Sequence, residues 1–111
     1  MGLSTHILDT AKGRPAAGVS LALWQLQGDA WTEIGSGVTD ADGRCKTLLG
    51  ERALQLGEYS IRFETGPWFS SQGIEGLYPY IAIVFTVTDP GQHYHIPLLL
   101  TANGYTTYRG S

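Results

Sequence analysis

Three histidines and one arginine are the residues of this chain whose types and spacing suit chemistry. His6 sits in Leu3-Ser4-Thr5-His6-Ile7-Leu8-Asp9-Thr10, and His93 and His95 sit in His93-Tyr94-His95-Ile96-Pro97-Leu98-Leu99-Leu100. Both segments read as strands, where side chains alternate between faces. Tyr94, Ile96, Leu98 and Leu100 then share a core face. His93, His95, Pro97 and Leu99 share the other, which has the character of a cleft lining or a partner-covered surface. His6 shares its face with Leu8. A neutral imidazole there serves either as a general base or as a hydrogen-bonded structural side chain. A His-x-His pair on one strand face also has spacing that suits zinc, with His6 or Cys45 as a third ligand. Pro97 has no N–H to give a ladder, so a bulge or an unpaired N–H is expected there.

Arg44 follows the tight Asp42-Gly43 turn. An arginine so placed is either a solvated loop residue or a fixed planar cation for an anionic ligand. The sequence closes on Tyr108-Arg109-Gly110-Ser111, which places a phenol, a guanidinium, a glycine and a hydroxyl beside a carboxylate after the strand-like run 104–107. Cys45 reads as a small core filler, and Trp24, Trp31 and Trp68 as core or interface residues. Asp9, ahead of a turn, reads as a backbone-fixing side chain. No Gly-x-Ser-x-Gly elbow, phosphate loop or dinucleotide fingerprint occurs, so a covalent or cofactor mechanism has no motif behind it. Attack by activated water is the chemistry left open.

The elements that must hold these residues are strands. Short runs rich in Val, Ile, Thr and aromatics alternate with turn clusters at intervals of about 8–12 residues. Strands are expected over 3–8, 18–26, 31–37, 58–65, 81–88, 93–100 and 105–109. The alternation of Tyr59, Ile61 and Phe63 against Ser60, Arg62 and Glu64 is the cleanest. The apolar run from Ile81 suits a central strand, and residues 67–73 suit a short helix. Turns are expected at Lys12-Gly13-Arg14-Pro15 and at Asp40-Ala41-Asp42-Gly43. Seven or eight short antiparallel strands make a β-sandwich.

The chain of 111 residues is read as one domain, 1–111, with 42% hydrophobic and only 15% charged residues. About 25% charged is usual, and so little charge points to surface buried in an oligomer. A net charge of −3 gives no basic footprint for nucleic acid, and no apolar run approaches the roughly 18 residues of a membrane span. A single cysteine and the lack of a signal-like start suggest the cytoplasm.

Three segments together resemble a known family. They are 3–10, then Asp42-Gly43-Arg44-Cys45, then the stretch from Thr88-Asp89-Pro90 through the His93–Leu100 strand to Tyr108-Arg109-Gly110-Ser111. Leu77-Tyr78-Pro79-Tyr80 followed by Ile83-Val84-Phe85 fits as well. The likeness is to the 5-hydroxyisourate hydrolases, the transthyretin-like enzymes of urate degradation, and it covers essentially the whole chain. The closing Tyr-Arg-Gly-Ser is the signature that separates them from the hormone carrier transthyretin. The resemblance implies a sandwich of two four-stranded sheets with one short helix, assembled as a homotetramer (a dimer of dimers) with a channel between dimers. It implies opening of 5-hydroxyisourate at a ring amide to a ureidoimidazoline acid, with no cofactor and no metal.

His6, Arg44, His95, Tyr108 and Ser111 would be catalytic. His6, Arg44, Tyr108, Arg109, Gly110 and Ser111 would contact substrate. Either His6 or His95 would be the base. Strand parity sets Thr106 and Tyr108 opposite Tyr105, Thr107 and Arg109, with Tyr108 assigned to the channel. The rival reading is a carrier of a small aromatic ligand in the same channel, and fold alone does not choose between them.

Overall fold

Period-2 alternation runs through the strands and decides which face of each sheet is hidden. The computed structural model describes residues 2–111. In chain order the elements are β1 (Leu3–Asp9), β2 (Arg14–Pro15), β3 (Ser20–Gln27), β4 (Ala30–Val38), β5 (Arg44–Cys45), β6 (Gly57–Phe63), α1 (Thr65–Ser70), β7 (Ile81–Val87), β8 (Tyr94–Thr101) and β9 (Gly104–Thr107). One sheet runs β2-β1-β8-β9 with β5 also paired to β1; the other runs β4-β3-β6-β7.

The core lies between the sheets. Leu3, Ile7, Ile96, Leu98 and Leu100 come from one side, and Leu21, Leu23, Tyr59, Ile61 and Phe63 from the other. Burying each such aliphatic or aromatic side chain contributes about 1.5–3 kcal/mol. Opposite these core residues, Ser4, His6 and Leu8 on β1 and His95 and Leu99 on β8 are half-buried and face outward. Among the described residues no helix is long and apolar enough to cross a membrane.

The two-sheet sandwich with one short helix is as expected, with four differences in detail. The first sheet counts five strands because Arg14-Pro15, expected as a turn, and Arg44-Cys45 each pair with β1 for two residues. The strands are not all antiparallel: β1 and β8 run parallel over Leu3–Asp9 and Tyr94–Leu100. A parallel pair needs a long crossover, and here the whole second sheet lies between the two strands in sequence.

The run from Ile81 forms an edge strand, not a central one, with Val84 57% exposed. Its apolar outward residues therefore find no cover within this chain. The helix spans Thr65–Ser70 rather than 67–73, so Pro67 sits in its first turn, where a missing N–H costs no helical bond.

Candidate active site

Strand β1 is the platform of the site. His6 lies directly opposite Arg44 of β5 on one side and beside Pro97 of β8 on the other. Directly opposed residues of an antiparallel pair put their side chains on one face, so imidazole and guanidinium stand side by side.

A two-residue strand is held there by its turn. Asp40 Oδ1 accepts the backbone N–H groups of Asp42 at 2.9 Å and Arg44 at 3.0 Å. The Arg44 N–H is the chief reason the Asp40 carboxyl sits below its ordinary value. Gly43 has φ +75°, and a Cβ at that position would strike the Ile7 carbonyl. Only glycine lets the turn approach β1 this closely, with Ile7 N–H donating to Gly43 O at 2.7 Å. The Arg44 backbone is thus fixed, while its guanidinium has no carboxylate or hydrogen-bond partner among the described residues.

His95 lies beside Ser4 in the parallel ladder. Ser4 Oγ is 2.8 Å from His95 Nδ1 and 2.8 Å from His93 Nε2. His95 Nε2 has no partner among the described residues and is free to meet a ligand. Burial lowers the His95 pKa below the usual 6.5, and the neighbouring charges of Arg44, His6 and His93 push it the same way against an interaction with the Ser4 backbone. The lowered pKa favours the neutral ring, whose lone pair can take a proton. Ser4 was not singled out from the sequence, although it stands two residues before His6 and so shares its face.

The chain end returns to this strand. Strand β9 stops at Thr107, opposite Leu98. Gly110 then bridges His95 in the same register, donating its N–H to His95 O at 2.8 Å. The gap between falls at Pro97, which has no N–H to give, and Thr107 Oγ1 donates to the Pro97 carbonyl instead at 2.7 Å. Instead of a bulge, the β8–β9 ladder is interrupted at Pro97, while pairing with β1 passes through Pro97 unshifted.

A Cβ on Gly110 would lie 2.5 Å from His95 Cδ2, so the tail is laid flat against the imidazole. Arg109 turns elsewhere. Its guanidinium sits 4.0 Å over the Tyr94 ring and donates to Gln92 Oε1 at 2.9 Å and His93 O at 3.2 Å. Tyr108 and Ser111 are exposed, without hydrogen bonds from their side chains to the described residues.

The structure thus gathers His6, Arg44, His95 and Gly110, with Ser4 added, and sets the Arg109 guanidinium apart. Cys45 faces the core, buried, with Sγ 3.7 Å from Thr47 Oγ1. It points away from Arg44 and cannot join the histidines. Among the described residues no three of His, Cys, Asp or Glu gather in a metal-holding group. Asp9 fixes its turn, accepting the N–H groups of Ala11 and Lys12 at 3.1 Å each.

Fold and site together define a sandwich with a polar, catalysis-ready face on one sheet. Residues 3–110 match the model of the HIUase/Transthyretin family, and the chain belongs to that family. It is 45% identical over 109 residues to the 5-hydroxyisourate hydrolase of Salmonella dublin, covering 98% of this chain and 80% of that protein. Among solved structures, a sea bream transthyretin in complex with thyroxine superposes with a TM-score of 0.92 at 35% identity, covering 99% of this chain and 95% of that one. The Klebsiella pneumoniae 5-hydroxyisourate hydrolase does so with a TM-score of 0.86 at 38% identity, covering 98% and 97%. Backbone similarity embraces both a thyroxine-bound protein and an enzyme, so the side chains must decide the function.

Proposed function

We propose that this protein is an enzyme that hydrolyses 5-hydroxyisourate, opening its six-membered ring at an amide to a ureidoimidazoline acid in urate degradation. One observation carries the reading. An imidazole with an open Nε2, a second imidazole and an unpaired guanidinium share the outward face of β1, β5 and β8. A thyroxine-type channel has no need of that set.

Amide hydrolysis by water requires a base, a stabiliser for the developing oxyanion and a fixed substrate. His95 Nε2 takes the proton of the attacking water, and His6 orients that water or the ring carbonyl. Arg44 binds the anionic substrate and faces the charge that develops on the carbonyl oxygen. Gly110 holds the tail against His95, which brings Tyr108 and Ser111 to the rim to position substrate. Arg109 anchors the tail through Tyr94, Gln92 and the His93 carbonyl rather than contacting substrate. No cofactor or metal enters the scheme.

The assembly we infer is a homotetramer. β7 and β9 are open edges, and Val84, Tyr105 and Tyr108 on or beside them are exposed at 57%, 42% and 55%. Uncovered edges of this kind invite pairing with another copy. Light scattering at four times the 12.0 kDa chain mass supports this, and a monomer at micromolar concentration overturns it. The free, buried Cys45 suits a reducing compartment, and we place the enzyme in the cytoplasm.

The test is an ultraviolet assay. 5-Hydroxyisourate is generated in place from urate, and its decay is followed with and without the protein. Strong acceleration that survives a chelator is the expected result. No acceleration by a folded oligomer overturns the proposal and turns attention to bound aromatic ligands.

A further inference from the structure

Ser4 Oγ carries one hydrogen and lies 2.8 Å from two ring nitrogens, His93 Nε2 and His95 Nδ1. A hydroxyl between two such partners donates to one and accepts from the other. We propose that Ser4 and His93 are a positioning and relay pair for His95, holding its Nε2 bare for the attacking water and passing the positive charge it would otherwise hold to His93 at the surface. The proposal rests on the reading of His95 as the base.

In the resting arrangement His95 Nδ1–H donates to Ser4 Oγ, and Ser4 Oγ–H donates to His93 Nε2. This fixes the tautomer and leaves the lone pair on His95 Nε2. When water adds to the carbonyl, its proton goes to Nε2. The Nδ1 proton passes to Ser4 Oγ as the Oγ proton passes to His93 Nε2. His95 is then neutral with its proton on Nε2, Ser4 is again a hydroxyl, and the positive charge rests on His93. As the ring C–N bond breaks, His95 Nε2–H protonates the departing nitrogen. The two other protons move back along the same path, and the resting arrangement is restored with no reagent consumed beyond one water.

The surroundings explain why the charge should move. His95 is half-buried and faces Arg44 from β5, His6 from β1 and His93 from its own chain segment. A cation there meets both poor solvation and like charge. His93 is exposed and borders an open cleft of ≈ 440 Å³ shared with Glu51, Arg52 and Gln92. Water in that cleft solvates the imidazolium. Neither Ser4 nor His93 needs to touch substrate for this.

The experiment combines turnover with nitrogen-15 NMR of the histidine rings in the whole protein. Ser4→Ala is expected to lower kcat on the order of tenfold, a fraction of a full general-base contribution, with KM within about twofold. Ser4→Thr restores kcat because the hydroxyl returns. His93→Ala shows a similar loss, and added imidazole in the buffer recovers it. The wild-type spectrum shows His95 as one tautomer with Nε2 unprotonated, and Ser4→Ala mixes the tautomers. Wild-type kcat in His93→Ala, a loss that imidazole does not touch, or a His95 ring protonated at Nε2 in the resting protein overturns the relay. His95→Ala separates the two claims. Wild-type turnover in that variant sinks the base assignment itself, whereas an inactive His95→Ala beside fully active Ser4→Ala and His93→Ala sinks the relay alone.

Discussion

Both sheets of this sandwich turn one face outward, and the two faces treat an arginine in opposite ways. On the β4-β3-β6-β7 sheet, Arg62 donates to Glu64 at 2.7 Å and lies 3.7 Å over the Tyr80 ring. It belongs to an aromatic concavity of ≈ 370 Å³ lined by Trp24, Trp31, Ser60, Tyr80 and Val84. Its charge is answered from within the chain. On the β1–β8 sheet, Arg44 has a backbone pinned by Asp40 and Gly43, but its guanidinium lacks any such partner among the described residues. A guanidinium answered within the chain has its donors occupied, whereas that of Arg44 keeps its planar fork open, as the proposed function needs.

The sharpest break in that comparison is at His95. His95→Ala removes the proposed base and should lower kcat by about 10²–10⁴-fold, measured by the decay of 5-hydroxyisourate. An activity near wild type would place the chemistry elsewhere. The paired arginines come next. Arg44→Ala should lower kcat/KM by roughly 10–100-fold, the scale of one charged hydrogen bond of about 1.5–3 kcal/mol. Arg44→Lys should recover only part, since an ammonium lacks the planar fork. Arg62→Ala should leave kcat/KM within about twofold, as an exposed ion pair with little energetic weight. If Arg62→Ala were the damaging variant, the two faces would have been assigned the wrong way round.

How far the sequence revealed this follows from which features are local. Alternation alone put His95 and Pro97 on the face opposite Tyr94, Ile96 and Leu98, and put His6 beside Leu8. In the structure His6, Leu8 and His95 are half-buried on the outward face, and Pro97 pairs beside His6 but is itself buried. Arg44 was visible as a turn residue, but its place beside His6 was not. That depends on a two-residue strand pairing across 38 positions of sequence, which no local pattern encodes. The edge position of β7 was hidden because an apolar run looks the same whether the chain itself or another copy covers it. Tyr108-Arg109-Gly110-Ser111 was legible as a unit only through family resemblance. The opposite fates of Arg109 and Gly110 depend on Tyr94 and His95, whose side chains lie on different faces of β8.

Gly110 gives a smaller effect that probes how the tail meets the ring. A methyl group there would lie 2.5 Å from His95 Cδ2, so Gly110→Ala must displace either the tail or the imidazole. Loss of about tenfold in kcat is expected, the scale of modest misplacement of a catalytic group, with little change in melting temperature because the tail is peripheral. An unchanged kcat would show that the tail does not set the His95 position.

The smallest effect is a shift of pH dependence, and it returns to the two arginines. The His95 pKa is lowered by burial first and by the Arg44 charge next. The acid limb of kcat/KM should therefore lie below the ordinary histidine value of about 6.5. Stability carries the matching sign. As pH falls below the ordinary value, the unfolded chain takes up a proton on this residue that the folded chain resists. Stability thus declines through the window between the ordinary and the lowered pKa and is unaffected above it. Arg44→Ala removes the second of these causes, so the residual activity of that variant should show its acid limb moved upward, while Arg62→Ala leaves the limb in place. An acid limb that ignores Arg44 would mean that the guanidinium does not face the His95 ring, and the contrast between the two sheet faces would then rest on His95 burial alone.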